Sequence, residues 1–327
     1  MDIPRAELFP LGGTKIMLST VGLGCWQFSR RRHLAGRYWP MVEEAEIKAI
    51  VRASLESGVN WFDTAQAYGG GESERMLAGA LAALKVKPGD VHVATKWDPF
   101  LKTSRSLLRT IEERLGNLGG YPISLHQVHH PTAVSTVRSQ MRAMARLVGL
   151  GKIRAVGVSN FSAQRMRAAH EALAGQGLKL AANQVRYSLL DRRIESNGVL
   201  DTARQLGIMI IAYSPLAQGL VSGKFHDDPG LVRRRQGFRR FIPAFWKRGL
   251  DKSRPVILSL REVAAHRSVT PSQAALRWLV QAGEGRVLVI PGATSVAQAV
   301  ENAEAMNFRL TGQEMDGLEK ASRIYLK

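Results

Sequence analysis

A chain of 327 residues with 45% hydrophobic content is too apolar to be mainly disordered and too varied to be collagenous or of low complexity. Its 46 Lys and Arg against 27 Asp and Glu leave a formal charge of +19, which favours encounters with anions: phosphorylated cofactors, nucleic acids or acidic membranes. The single cysteine, Cys25, rules out an intrachain disulfide and a Cys-rich zinc site, and no apolar run approaches the ~18 residues of a membrane span.

The opening MDIPRAELFP has no basic segment ahead of an apolar stretch, so no signal peptide and a cytoplasmic location are expected. From there short β-branched runs alternate with longer amphipathic stretches. The pattern predicts strands at Thr20–Leu23, Val59–Asp63, Val91–Lys96, Ser124–His129, Arg154–Ser159, Leu180–Val185, Ile208–Tyr213 and Val287–Ile290. Helices are predicted near 43–57, 73–86, 103–116, 134–149, 162–174, 197–206, 256–266, 272–282 and 296–305. Thr103, Ser162 and Thr270 with Pro271 supply start signals, and glycines at 58, 149, 151 and 207 stand where helices hand over to strands.

Eight strands with intervening helices suit either an open doubly wound sheet or a closed barrel. Asp63, Lys96, His129, Ser159, Gln184 and Tyr213 each fall at the C-terminal end of a different predicted strand. A barrel brings such ends to one face, whereas an open sheet spreads them along an edge. The expected fold is therefore α/β: a single (β/α)8 TIM barrel over residues 1–327 with long active-face loops and no internal domain boundary.

Leu231–Val256 departs from this alternation. It carries nine Lys and Arg against Asp251 alone, interleaved with Phe238, Phe241, Phe245 and Trp246. It reads as a solvated lid, as an anion-attracting flap over the site, or as a nucleic-acid surface with aromatic stacking platforms, the last being the weakest of the three. A smaller basic run, Arg30–His33 with Arg37, Tyr38 and Trp39, follows the first strand at the same face. A membrane role finds no apolar helical face in the basic loop.

The residues with the sharpest chemistry are Asp63 in VNWFDTAQAYG, Tyr68 five residues on, Lys96 closing ATK, and His129 in QVHH. Singly, each reads as a structural ion pair, a packing phenol or a core histidine. At neighbouring strand tips they suit reversible carbonyl reduction. An ammonium stabilises phenolate and makes Tyr68 a better acid, Asp63 holds the lysine, and the imidazole hydrogen-bonds the carbonyl oxygen.

With these residues in order, the chain resembles the aldo-keto reductase superfamily, particularly its bacterial and plant members. The similarity runs from GLGCW at Gly22 to ATSVAQAVEN ending at Asn302. It implies a (β/α)8 barrel that reduces aldehydes or ketones with NADPH and no metal, with Asp63, Tyr68, Lys96 and His129 as the catalytic set. It further implies that Ser159 and Asn160 in GVSNFS and Gln184 in NQVRYSLL hold the nicotinamide carboxamide, and that Tyr213 stacks on its ring. Ser214, Leu216, Gln218 and Gly219 would wrap the pyrophosphate. Gly292, Thr294 and Ser295 would meet a phosphate through N–H and hydroxyl groups, and Gln298, Glu301 and Asn302 the adenosine. Gly69–Gly71 is read as a turn rather than a dinucleotide fingerprint.

Trp26 and Trp97 are expected as apolar walls of the substrate pocket, with core support as the alternative for each, and His130 as its polar floor. The sequence departs from the family pattern at Gly292–Ala293, where many members have Lys or Arg near the 2′-phosphate, which leaves NADH open. Arg-rich 233–240 is a candidate for the missing charge. His130 replaces the usual tryptophan, and Arg186 a common acid. The expected partner is a small carbonyl or alcohol, with the oligomeric state open. The alternative function is an NADPH-binding, redox-sensing regulatory subunit with little turnover.

Overall fold

The computed structural model describes residues 7–29, 41–234 and 238–327, without the Phe238 side chain. The expected basic run Arg30–His33 with Arg37, Tyr38 and Trp39 lies outside them. Two short strands, β1 (Leu8–Pro10) and β2 (Met17–Ser19), form an antiparallel hairpin. Eight parallel strands follow: β3 (Leu23–Gly24), β4 (Trp61–Asp63), β5 (His92–Trp97), β6 (Ile123–Val128), β7 (Ile153–Ser159), β8 (Leu180–Arg186), β9 (Met209–Tyr213) and β10 (Val287–Ile290). The ring closes where Val21 bridges Val289 and Gly24 bridges Gly292. A Cβ on Gly24 would stand 2.9 Å from the Ile290 carbonyl oxygen, so this seam needs glycine.

Side chains alternate faces along each strand. The outward set, including Phe62, Val93, Val128, Val158, Ile210 and Val289, packs under the helices. The inward set begins apolar: Trp61, Ala94, Leu125, Ala182, Ile211 and Leu288 share one cluster with Leu11 and Leu18 of the hairpin segment. The hairpin, which the sequence reading did not anticipate, thus plugs the N-terminal end of the barrel. Two residues further along the strands the inward positions become Asp63, Lys96, Gln127, Gln184 and Tyr213. Polar groups with no room in the apolar plug accordingly line the opposite mouth.

The outer elements are α1 (Glu44–Glu56), α2 (Glu72–Ala83), α3 (Ser104–Asn117), α4 (Val137–Gly149), α5 (Ala163–Ala174), α6 (Val199–Leu206), α7 (Lys224–Asp227), α8 (Leu231–Arg234), α9 (Lys247–Arg267), α10 (Pro271–Ala282), α11 (Val296–Glu304) and α12 (Gly312–Ser322). Helix α9 starts nine residues before the predicted 256–266, running through Pro255, because Leu250 and Ser253 extend its buried face ahead of Val256, Ile257 and Leu260. Helix α12 was not predicted, although Thr311 and Glu314 form a full capping box at its start. No helix among the described residues is long and apolar enough to cross a membrane.

Candidate active site

Lys96 is fully buried at the end of β5, and its ammonium has three partners. It is ion-paired with Asp63 Oδ1, donates to the Thr64 carbonyl at 2.9 Å and stands 3.4 Å from the Tyr68 hydroxyl. Asp63 Oδ2 accepts from Gln184 Nε2 at 2.8 Å and from Gln127 Nε2 at 3.3 Å. Tyr68 is carried by the turn after β4, where Tyr68 N–H donates to the Ala65 carbonyl and the Ser73 N–H donates to that of Tyr68. Gly69, Gly70 and Gly71 all hold positive φ in this turn, which bears out its reading as a turn.

Burial raises the Tyr68 phenol above its ordinary pKa, with Lys96 pulling the other way and Asp63 adding to the rise. The net direction is opposite to the expectation that the ammonium makes Tyr68 a better acid, because burial, with Asp63 beside it, outweighs Lys96. For Lys96, burial opposes the charged form, yet Asp63 and Tyr68 outweigh it and keep the ammonium above its usual value. His129 follows β6, its ring edge-on to Tyr68 with centroids 5.7 Å apart. Burial, then Lys96 and His130, push its pKa down to about 2, so it is a neutral imidazole. Its Nδ1 is enclosed without a hydrogen-bond partner among the described residues.

These groups open onto a cavity of about 700 Å³. Lining it are Trp26, Asp63, Tyr68, His129, His130, Ser159, Asn160, Gln184, Tyr213, Ser214, Leu216, Gln218, Gly219, Gly292, Thr294, Gln298, Glu301 and Asn302. Lys96 lies behind Asp63 and Tyr68. Trp97 is not a pocket wall: Lys96 points inward, so its neighbour points outward, where the indole is buried and donates to Ser106 Oγ at 3.1 Å. Nor does Ser295 line the cavity, since its hydroxyl caps α11 by accepting from the Gln298 N–H. The Thr294 N–H is likewise taken, donating to Gln298 Oε1 at 2.9 Å. Trp26 stacks on Tyr68 with centroids 6.0 Å apart.

Three lining residues other than glycine, Asn160, Ser214 and Gln218, have φ between 51° and 60°. Such backbone costs about 1–3 kcal/mol each and marks sites whose geometry the surroundings enforce. The Asn160 amide shows how: Nδ2 donates to the His129 carbonyl at 3.3 Å and to Ser159 Oγ at 3.0 Å, while Oδ1 accepts from the Tyr213 hydroxyl at 3.0 Å.

Sequence reasoning missed several lining groups. Gln27 follows Trp26, and a Cβ on Gly292 would collide with its amide, so the two segments touch across the barrel seam. Lys224 ends the run AYSPLAQGLVSGK, where its cationic side chain was the available signal. Arg239, by contrast, belongs to the Arg-rich 233–240 segment that the sequence offered for the missing charge, and it reaches the cavity. Among the described residues, Lys224 and Arg239 are the two Lys/Arg side chains in the lining, 5.3 and 5.9 Å from the Phe225 ring centroid respectively. Among the described residues no group of three or more His, Cys, Asp or Glu is arranged to hold a metal ion.

Comparison with known proteins points one way. A family model described as the aldo/keto reductase family matches residues 20–323. An uncharacterized oxidoreductase of Mycobacterium bovis is 36% identical over 311 residues, covering 94% of this chain and 90% of the relative. Among solved structures, a glycerol dehydrogenase from Gluconobacter oxydans superposes with a TM-score of 0.81 at 27% identity, over 98% of this chain and 96% of that one. An aldo/keto reductase from Klebsiella pneumoniae, in complex with NADP and acetate, gives 0.72 at 26% identity over 97% and 95%.

Proposed function

The chain belongs to the aldo/keto reductase family, and we propose that it reduces aldehyde or ketone carbonyls reversibly with NADPH, using Tyr68 as the proton donor. The observation that carries this reading is the buried Lys96 ammonium, set between the Asp63 carboxylate and the Tyr68 hydroxyl, where Tyr68 and His129 share a cavity.

The cavity suits a dinucleotide. Buried Gln27 Oε1 and Gln218 Oε1 have no hydrogen-bond partner among the described residues, as acceptors for ribose hydroxyls would. Lys224 and Arg239 supply positive charge for phosphates, and Arg239 offers the charge that Gly292 and Ala293 lack, which favours NADPH over NADH. Ser159, Asn160 and Gln184 form the amide-and-hydroxyl set for a carboxamide, with the Tyr213 ring beside them.

When bound, NADPH supplies the hydride that adds to the carbonyl carbon. The residues handle the oxygen. Neutral His129 presents Nε2 to the carbonyl and fixes its direction. Tyr68, kept protonated by its raised pKa, gives its phenolic proton to the oxygen as negative charge develops there. Lys96 stabilises the phenolate that remains, and Asp63, braced by Gln184 and Gln127, holds Lys96 in place. In the alcohol-oxidising direction the same phenolate takes the proton back.

The test is oxidation of NADPH and NADH, followed at the nicotinamide absorbance, across aromatic, aliphatic, sugar and keto-acid carbonyls, with Tyr68→Phe beside the wild type. Turnover that is lost in the variant supports the reading. Tight nucleotide binding without turnover on any class would replace it with a redox-sensing role, and failure to bind either nucleotide would sink both.

A further inference from the structure

Away from the cavity, positive charge gathers on one flank of the barrel. The sequence has no acidic residue between Glu113 and Glu171, and α4 lies wholly within that stretch. Arg138, Arg142 and Arg146 recur at every fourth position and are all exposed, turned away from the buried Met141, Met144 and Leu147. Like charges at this spacing repel and weaken a helix, so the stripe does not serve the fold. On neighbouring α3, Arg105 and Arg109 are exposed at the same spacing. The acids beyond them are engaged, Glu112 with Lys152 at 3.1 Å and Glu113 with Arg114. The α4 arginines thus make no ion pair among the described residues.

The ends of the stripe are apolar. Leu101, Val134, Phe100 and Leu150 are the four most exposed large hydrophobic side chains among the described residues, at 72%, 68%, 63% and 58%. Val134 precedes α4 and Leu150 follows it, with 13 helical residues, about 20 Å, between them. Phe100 and Leu101 occupy the turn after β5, which is tied to the start of α4. The Val134 N–H donates to the Lys102 carbonyl at 3.0 Å, and the Ser104 N–H to Ser135 Oγ at 3.0 Å. Leu101 has φ 50°, a strained backbone for leucine, in a turn that displays its side chain to solvent.

We propose that this flank, the α4 arginine stripe with its apolar ends, docks on an anionic lipid bilayer. The arginines meet headgroup phosphates and carboxylates, while Phe100, Leu101, Val134 and Leu150 enter the boundary with the acyl chains. The net charge of +19 draws the chain to such a surface. A nucleic acid would match the arginines but leave the aliphatic side chains unused, since they offer no ring for base stacking. A second copy docked through a two-fold axis would set the stripe against itself.

Flotation of the full chain with vesicles tests this, using phosphatidylcholine alone and phosphatidylcholine mixed with phosphatidylserine. Binding is expected to the mixed vesicles only, and to weaken as salt is raised. Replacing the three arginines together, Arg138→Gln, Arg142→Gln and Arg146→Gln, should weaken it about a hundredfold, at about fivefold for each charge near the surface. Leu101→Ser with Val134→Ser should weaken it at least about tenfold, with affinity for duplex DNA unchanged. None of these residues lines the cavity, so the outcome is independent of whether the protein reduces carbonyls, and thermal unfolding of each variant verifies its fold. Failure to bind the mixed vesicles, or equal binding to both kinds, would overturn the inference. Binding insensitive to the Leu101 and Val134 changes would overturn it too, and an equal affinity for duplex DNA would then make the stripe a general polyanion site.

Discussion

Gln184 Nε2 donates to Asp63 Oδ2 across 2.8 Å, which ties a residue expected at the nicotinamide carboxamide to the carboxylate that holds Lys96. One side chain thereby serves both halves of the site. Gln184→Leu is expected to lower kcat about tenfold and to weaken NADPH binding, since Asp63 Oδ2 keeps only the longer contact to Gln127. Gln184→Glu should lower kcat further, because two carboxylates would then share one buried position. Steady-state kinetics together with cofactor titration by fluorescence separate the two losses; a change in binding alone would show that the brace does not matter.

Lys96→Met leaves Asp63 as a buried carboxylate without its counter-ion. Breaking such a pair costs about 3–5 kcal/mol, and the carbonyl-reducing rate should fall at least a hundredfold with it. The double variant Asp63→Asn with Lys96→Met should be more stable than Lys96→Met alone, as no charge remains to be desolvated. Denaturant unfolding of the two variants and the wild type measures this order.

The pH dependence follows from the shifts. Tyr68 lies above the ordinary phenol value of about 10, so the protonated donor persists throughout the neutral range. Carbonyl reduction should therefore hold its rate into alkaline solution, while oxidation of the product alcohol, which needs the phenolate, climbs with pH. His129, at about 2, should add no inflection between about pH 5 and about pH 9. An inflection near pH 6 that disappears in His129→Gln would contradict the neutral assignment.

Arg239→Ala should weaken NADPH about tenfold and NADH less, if its guanidinium meets the 2′-phosphate, as charge-assisted contacts of this kind are worth about 1.5–3 kcal/mol. Lys224→Ala should weaken both cofactors. Calorimetric titration at two salt concentrations checks both expectations. Equal loss of NADPH and NADH in Arg239→Ala would move its role to the pyrophosphate.

His126 faces outward from β6 toward the helices, and burial lowers its pKa to about 4, the Thr95 backbone contact opposing and Arg114 assisting. The unfolded chain binds this proton near the ordinary value of about 6.5, whereas the folded protein does so only near 4. The contribution to stability is complete above the unfolded value and is lost as pH falls toward the folded one. Unfolding free energies at pH 7 and pH 5 should differ less in His126→Gln than in the wild type.

The strands were legible because each is a short run whose alternation is written in adjacent residues. Seven of the predicted strands correspond to barrel strands with ends shifted by a residue or two, while Thr20–Leu23 resolves into the end of the seam and β3. Three-residue strands carry too little pattern to reveal the hairpin, and α12 shows in the sequence through the spacing of Thr311 and Glu314. At the site, the strand-tip polar residues could be placed from position alone. Trp97 was misplaced by the same rule left unapplied, since a residue next to inward Lys96 must face out.

What the sequence determined by itself was the order of elements and the identity of the inward polar set, since local periodicity decides which face a side chain takes. Tertiary structure alone decided what those side chains meet. Ring closure sets Gln27 against Gly292, folding of the basic segment brings Arg239 to the cavity, and the Asn160 amide is oriented by Tyr213 and the His129 carbonyl. Each of these joins groups far apart along the chain, and local alternation carries no information about such distances.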